Sequence, residues 1–443
     1  MPFDFDMDSM SPVNTGGGGS SVNVSPLNIT PSIYAQNFVP AAGNAYAPVN
    51  VSGVNASIDS NITASNIVNG VNILGVTGTA QTGDFVGIPR QVINGVFSMP
   101  TEPYTFSLPS NATDIGNSAL NRAFTFDSYI TGANLSSLTQ ISGESAIRNA
   151  FSYCPNFTTV DLSNVKNISG NNALAGAFRG CNSLTAVALS NVTNISGQRA
   201  LESLVENSSS IETVYLNSLT SVGSYSLNSA FSNSGIQYLD FPSMTSITNY
   251  SCVNMCRNCH NLMTVNFPSL VNATGDQNSF DSAFKDSGVV SVNFGSLVDC
   301  NTSGNIFSSA WQNCPNLTSV NLSSLVAANY RQVFMNAFRD CPSLTTMNFN
   351  SLNVVGAPNA FGNAFTNDSA IEHIYFNAFT NGTIATGQAS IFTNMLYNTG
   401  TSVTHTVHFP NNIENAVMNT TGYPLFGGTS SYVTLAFDLP STD

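Results

Sequence analysis

Charge is what this chain lacks first. Of its 443 residues only 8% are Asp, Glu, Lys or Arg, against about 25% in an average soluble domain. Ten basic residues face 24 acidic ones, a formal net charge of −14, and the only lysines are Lys166 and Lys285. With so little positive charge to neutralise phosphates, nucleic-acid binding is not expected. Neither lysine follows a glycine, which removes a Walker A loop. G-x-S-x-G and H-E-x-x-H are both missing. No apolar run approaches bilayer length, so membrane insertion is not expected. The opening MPFDFDMDSM has neither the basic nor the apolar region of a secretory signal.

What is present is enough apolar material, 42%, to bury a sizeable core. The exterior must be solubilised by Asn, Ser, Thr and Gly. Such a surface is common in extracellular adhesins and virus surface proteins. Joined to an opening without an export signal, it implies release by lysis.

The middle of the chain repeats itself. Aligned on the residue before a core aromatic, the marks are Ala123, Ala150, Ala177, Leu204, Ala230, Met255, Ala283, Ala310, Ala337 and Ala364. Their intervals are 27, 27, 27, 26, 25, 28, 27, 27 and 27, and Met395-Leu396 marks an eleventh, degenerate unit. Each unit begins with a period-two step, as in Val187 and Leu189 or Val320 and Leu322, which points a short strand's side chains to one face. Its second part, such as Leu174, Ala177 and Phe178, has the i, i+3, i+4 spacing of a short helix or turn. One unit cannot bury such a face alone, but stacked neighbours can. Ten strands at about 4.8 Å spacing give a solenoid roughly 50 Å long.

These units resemble leucine-rich repeats of the BspA-like type, with their A-F-x-x-C-x-S-L phrase. Ala337-Phe338-Arg339-Asp340-Cys341-Pro342-Ser343-Leu344 and Ala177-Phe178-Arg179-Gly180-Cys181-Asn182-Ser183-Leu184 carry the likeness, which covers about residues 104–381. It implies an α+β repeat solenoid that serves as an interaction surface, without enzymatic activity and without a cofactor.

The sequence before the repeats differs. Residues 1–26 are acidic and then Gly-rich, the composition of a flexible arm. Residues 27–80 alternate candidate strand residues (Val49, Val51, Val54, Ile73, Val76) with turn glycines Gly70, Gly75 and Gly78. This stretch resembles a small β module of tailed-bacteriophage structural proteins, through Ile29–Ser32, Tyr46–Val51, Ile58–Ile62 and above all Ala64–Thr79. The resemblance implies attachment to other virion proteins through residues 1–80. Residues 81–103 follow as linker and N-terminal cap, 104–400 as the solenoid, and 401–443 as a C-terminal β cap with strands around Val403, Val407 and Tyr432–Phe437.

Cys256-Arg257-Asn258-Cys259-His260 spells a haem-attachment motif, and Cys252 adds a fourth potential zinc ligand. Repeat register argues for packing instead. Cys259 occupies the slot of Cys154, Cys181, Cys314 and Cys341, four residues after the mark, and Cys256 the core aromatic position. No metal is expected there, and the thiols are expected to be free. His405 and His408 fall on opposite faces of a strand, which disfavours a shared metal. Glu202 and Glu206 lie four apart on a presumptive helix, without a partner acid for glycoside chemistry.

Residues flanking each inward strand position form an outward column. Its aromatic and charged members, Tyr215, Tyr238, Asp240, His373 and Tyr375, are the candidate ligand-binding residues, suited to a polyhydroxylated ligand. The alternative is a plain Asn/Thr ladder that solubilises the sheet. The main functional expectation is a phage tail fibre or receptor-binding protein whose solenoid binds a host surface glycan or protein. Its alternatives are a structural virion protein (head fibre or capsid decoration) and a bacterial surface adhesin. A homotrimer is an open assembly state.

Overall fold

The computed structural model describes residues 102–440 apart from 274–277, 301–304, 329–331, 356–358, 381–390, 401, 416 and 418–431, together with six short strands before residue 102. The chain divides into a unit at Met1–Ala80 and a unit at Gln81–Asp443. In the first, Gln36–Phe38 pairs antiparallel with Val49–Val51, and Asn72–Ile73 with Val76–Thr77. The acidic arm 1–26 lies outside the described residues. In the second unit, Val92–Ile93 pairs antiparallel with Val96–Phe97 ahead of the repeats.

From Tyr104 onward the chain coils, and each coil contributes three walls. The first wall is a row of parallel three-residue strands: Thr159–Asp161, Ala186–Ala188, Thr213–Tyr215, Tyr238–Asp240, Thr264–Asn266, Ser291–Asn293, Ser319–Asn321, Thr346–Asn348 and His373–Tyr375. Equivalent residues pair directly, as Val265 with Val292 and Asn266 with Asn293. Because side chains alternate, the central residue of each strand is inward and its neighbours outward. Val187, Val214, Leu239, Val265 and Val292 are accordingly buried.

The second wall is a row of two-residue strands, among them Asn167–Ile168, Asn194–Ile195 and Ser221–Val222, paired parallel at the same period. Ile168, Ile195 and Val222 point inward. Directly after these strands the coils approach so closely that glycine is required. A Cβ on Gly170 would lie 2.1 Å from the Gly143 carbonyl oxygen, and one on Gly197 2.2 Å from that of Gly170.

The third wall settles the choice between helix and turn. No residue described between 102 and 400 is helical. The stretch is a ribbon of linked turns in which every fourth residue has positive φ: Asn149 (51°) and Tyr153 (56°), Ser203 (55°) and Asn207 (62°), Asn336 (54°) and Asp340 (63°). Alternate amides close i→i−3 turns, as Ala150 onto Ile147, and the others reach the next coil, as Phe151 onto Ala177. Side chains four apart therefore share a direction in this ribbon as they do on a helix, which is why the spacing of Leu174 and Phe178 reads helical.

The inter-coil bonds run unbroken along the marked residues. The amides of Phe124, Phe151, Phe178, Val205, Phe231, Cys256, Phe284, Trp311, Phe338 and Phe365 donate to the carbonyls of Ala150, Ala177, Leu204, Ala230, Met255, Ala283, Ala310, Ala337, Ala364 and Met395, in that order. The marks thus lie in a single row, and Met395 belongs to the eleventh coil.

Between the walls, aromatic rings stack in columns at the coil spacing. Trp311 lies 5.0 Å from Phe338, and Phe338 lies 5.0 Å from Phe365. A parallel column runs through Phe280, Phe307, Phe334, Phe361 and Phe392. At the C-terminal end His405–Pro410 and Val433–Leu439 extend the first row in parallel.

Candidate ligand surface

The first wall presents its outward side chains as a polar, nearly uncharged sheet. Asn293 and Asn321 are laddered, Asn321 Nδ2 donating to Asn293 Oδ1 at 2.9 Å. Into this ladder the chain sets two large aromatics, Tyr215 (45% exposed) and Tyr238 (50% exposed). They sit diagonally on adjacent strands, since Thr213 is the residue that pairs with Tyr238. Tyr238 Oη contacts Met263 Sδ at 3.0 Å, which fixes its ring across the neighbouring coil. Asp240 is exposed and pairs with Asn266.

His373 and Tyr375 do not join this group. Five strand steps separate them from Tyr238, roughly 24 Å at ordinary strand spacing. They are half-buried and engaged at the C-terminal end: His373 Nδ1 lies 3.0 Å from His408 Nε2, and the Tyr375 ring stacks on His408 at 4.3 Å. His408 Nδ1 lies 2.9 Å from Asp438. The contacts thus run in a line from Asp438 through His408 to His373. The five candidate residues therefore form two clusters: an open one at Tyr215, Tyr238 and Asp240, and a closed one that ties the last strands together. His405, by contrast, is buried against the Ile371 carbonyl.

The cysteines lie inside. All eight are free and buried. In the slot four residues after the mark the thiol donates to a carbonyl one coil back: Cys154 to Phe124, Cys181 to Phe151, Cys259 to Phe231, Cys314 to Phe284 and Cys341 to Trp311, at 2.9–3.0 Å. Ser208 fills the same slot with the same bond, to Phe178 at 2.9 Å. So the position wants a small donor, which a reading of cysteine as a merely apolar filler misses. Burial pushes the thiols of Cys154, Cys181 and Cys314 up to about 12. Cys252, Cys256 and Cys259 are buried while His260 is exposed. Among the described residues no group of three or more His, Cys, Asp or Glu could hold a metal ion.

Aspartate takes that slot twice, as the half-exposed Asp127 of the first coil and as Asp368. The latter is fully buried, its Oδ1 accepts from the Cys341 amide, and its Oδ2 has no partner. Burial holds its carboxyl well above the usual carboxylate range. Glu202 and Glu206 stand on the turn ribbon rather than a helix and are paired with Arg199 at 2.8 Å and Arg179 at 3.1 Å.

Sequence reasoning missed the outer face of that ribbon. Three residues after the mark, the left-handed position holds Asn207, Asn233, Asn258, Asp286, Asn313, Asp340, Asn367 and Asn398 in the later coils. These form side-chain ladders, Asn258 donating to Asn233 at 2.9 Å and Asn313 to Asp286 at 2.9 Å. In the first two coils the same position holds Phe126 and Tyr153, stacked at 5.2 Å. The signal was a departure from an Asn/Asp column, legible only once turns replace the helix.

Parallel strands at a 27-residue step, an inward V-x-L and a capping C-x-x-L turn define a leucine-rich-repeat solenoid. The model of the BspA type leucine rich repeat region matches residues 144–283, 202–304 and 281–417, more than half of the chain, and the chain belongs to that family. A leucine-rich repeat protein from Bacteroides ovatus aligns at 17% identity over 76% of this chain and 93% of its own, with a TM-score of 0.30. A leucine rich cell surface protein from Faecalibacterium prausnitzii aligns at 16% over 77% and 91%, with a TM-score of 0.29. Superpositions this loose add nothing to the family assignment, which rests on the repeats. No curated protein matches the chain.

Proposed function

We propose that this chain is a non-catalytic surface adhesin whose solenoid binds a glycan or protein on a host cell. The observation that carries the reading is the pair Tyr215 and Tyr238, both about half exposed on a polar sheet of low charge. Tyrosine rings offer apolar area and a hydroxyl together, and such residues on a rigid wall cost little entropy to immobilise. Asp240 beside them supplies an acceptor. The low charge suits a neutral ligand and gives little electrostatic steering. His373 and Tyr375, held by His408, are left out of this surface.

The test is binding of the purified full chain to host cells, before and after Tyr215→Ala and Tyr238→Ala. Loss of binding with unchanged stability supports the reading. Unchanged binding moves the surface elsewhere.

A second reading places the protein on a tailed-phage particle, as a tail fibre or a head fibre. It is favoured by the resemblance of Ala64–Thr79 to phage structural modules. Residues 1–80 would then hold the chain to other virion proteins, and a homotrimer would multiply weak single contacts. Proteomics of particles assembled with a chain lacking residues 1–80 tests it: retained incorporation contradicts the reading.

A further inference from the structure

We propose that Asp368 is a pH-operated latch: as a neutral carboxylic acid it donates from Oδ2 to the Phe338 carbonyl, and loss of that proton loosens the coil it closes. The slot four residues after the mark has a regular hydrogen-bond pattern, and Ser208 shows both halves of it. Its hydroxyl accepts from the Cys181 amide, 27 residues back, and donates to the Phe178 carbonyl, 30 residues back. Cys154, Cys181, Cys314 and Cys341 donate at the same step of 30. Asp368 keeps the first half, its Oδ1 accepting from the Cys341 amide 27 residues back. The second half would fall on Phe338.

Both groups of that missing bond are unpaired. Asp368 Oδ2 is buried without a partner. Phe338 is buried too, and among the described residues its carbonyl accepts no hydrogen bond. The equivalent carbonyl of every other coil from Phe124 to Phe365 accepts at least one. Two buried oxygens left unpaired are costly, and they cannot bond to each other without a hydrogen. One proton on Oδ2 satisfies both.

Asp127 shows the ionised alternative in the same slot. It is half-exposed and accepts from Tyr104 Oη and from the amides of Tyr129 and Ile130, donors that suit a carboxylate. Asp368 has one donor and no cation. The titratable groups beside it on the preceding coil are the Cys341 thiol, which donates to Trp311, and Asp340, which accepts from Asn367 and pairs with Arg339 at 3.2 Å. On the following coil Thr399 turns to the Leu396 carbonyl and His405 to the Ile371 carbonyl, and neither reaches Oδ2. Burial, with the Asp340 charge adding to it, outweighs the Cys341 amide and pushes the carboxyl well above its ordinary range. Stability from this group is therefore full below the unfolded carboxyl value near ~4 and falls as pH rises toward the folded value. What loosens is the end of the solenoid, since the coil closed by Asp368 carries His373–Tyr375, on which the last strands pair.

The experiment is hydrogen exchange of the full chain, read by mass spectrometry from about pH 5 to about pH 9 and expressed as protection, so that intrinsic exchange rates cancel. Peptides spanning 334–345 and 361–372 report on the latch, and 148–160 on a coil whose slot holds Cys154. Protection at the latch should fall by up to about tenfold per pH unit relative to the control coil, the limit for one released proton. Asp368→Asn supplies the same acceptor and a donor that does not ionise, and Asp368→Ser restores the hydroxyl seen at Ser208. Both should hold their protection across the range. Three results overturn the proposal: no such fall in the parent, a fall that survives in either folded variant, or neither variant reaching the parent's protection at the acidic end.

Discussion

The strand wall and the turn ribbon are parts of the same coil, yet opposite rules build them. On the strand wall any residue adopts the backbone, so its outward positions vary freely among Asn, Thr, Ser, Tyr and Asp. On the ribbon every fourth residue must take positive φ, and the sequence answers mostly with Asn, Ser, Asp or Gly, with Arg122, Arg199, Gln332 and four aromatics among the described exceptions. An unusual residue on the strand wall is therefore weak evidence of function. On the ribbon it carries a conformational cost, and so says more.

The largest expected effect lies in the core shared by both walls. Phe338→Ala should cost about 3–5 kcal/mol, because Trp311 and Phe365 lose the ring between them and the ladder prevents collapse. A denaturant-unfolding loss below about 1 kcal/mol would mean that the column is not continuous.

Next comes the buried acid. The raised carboxyl of Asp368 means that the folded state favours its protonated form. Its contribution to stability is full below the unfolded carboxyl value near ~4 and is lost as pH rises through the higher folded value. Asp368→Cys restores the slot's thiol and should stabilise the chain at neutral pH by about 1–3 kcal/mol. The gain should shrink on acidification. Thermal melts of both chains across pH check this, and a gain that grows as pH falls would reverse the assignment.

The smallest effect concerns the thiol bonds. Cys341→Ser should change stability by less than about 1 kcal/mol, because Ser208 makes the same bond to the coil before it. Cys341→Val keeps the bulk but removes the donor, leaving a buried carbonyl unpaired, and should cost more. If unfolding curves rank the two the other way, the slot is merely apolar.

Much of this was legible in the chain. Intervals of 25 to 28 residues fixed the marks, and the period-two step at Val187 and Leu189 located the strands. The slot of Cys154 and Cys341 was visible as a column, but its hydrogen bond was not, because the acceptor lies one coil away. The helix-like spacing at Leu174 and Phe178 could not separate a helix from four-residue turns, since both place side chains four apart on one face. The five candidate residues shared a face as expected, yet their separation and the tie from His373 to His408 depend on which coils they occupy and on Asp438 reaching back. The Phe126–Tyr153 stack needed the left-handed backbone to be seen at all.

That backbone is the central claim, and Asn336 tests it directly. It sits at φ 54° on the ribbon, its amide bonded to the Gly362 carbonyl of the next coil. In a helix, Asn336→Gly would destabilise and Asn336→Ala would stabilise, by up to about 1 kcal/mol each. On a left-handed turn the order inverts: glycine is neutral or stabilising, and alanine costs about 1–2 kcal/mol. Equilibrium unfolding of the two variants should rank glycine above alanine. Alanine above glycine would contradict the ribbon, and with it the reading of its aromatic positions.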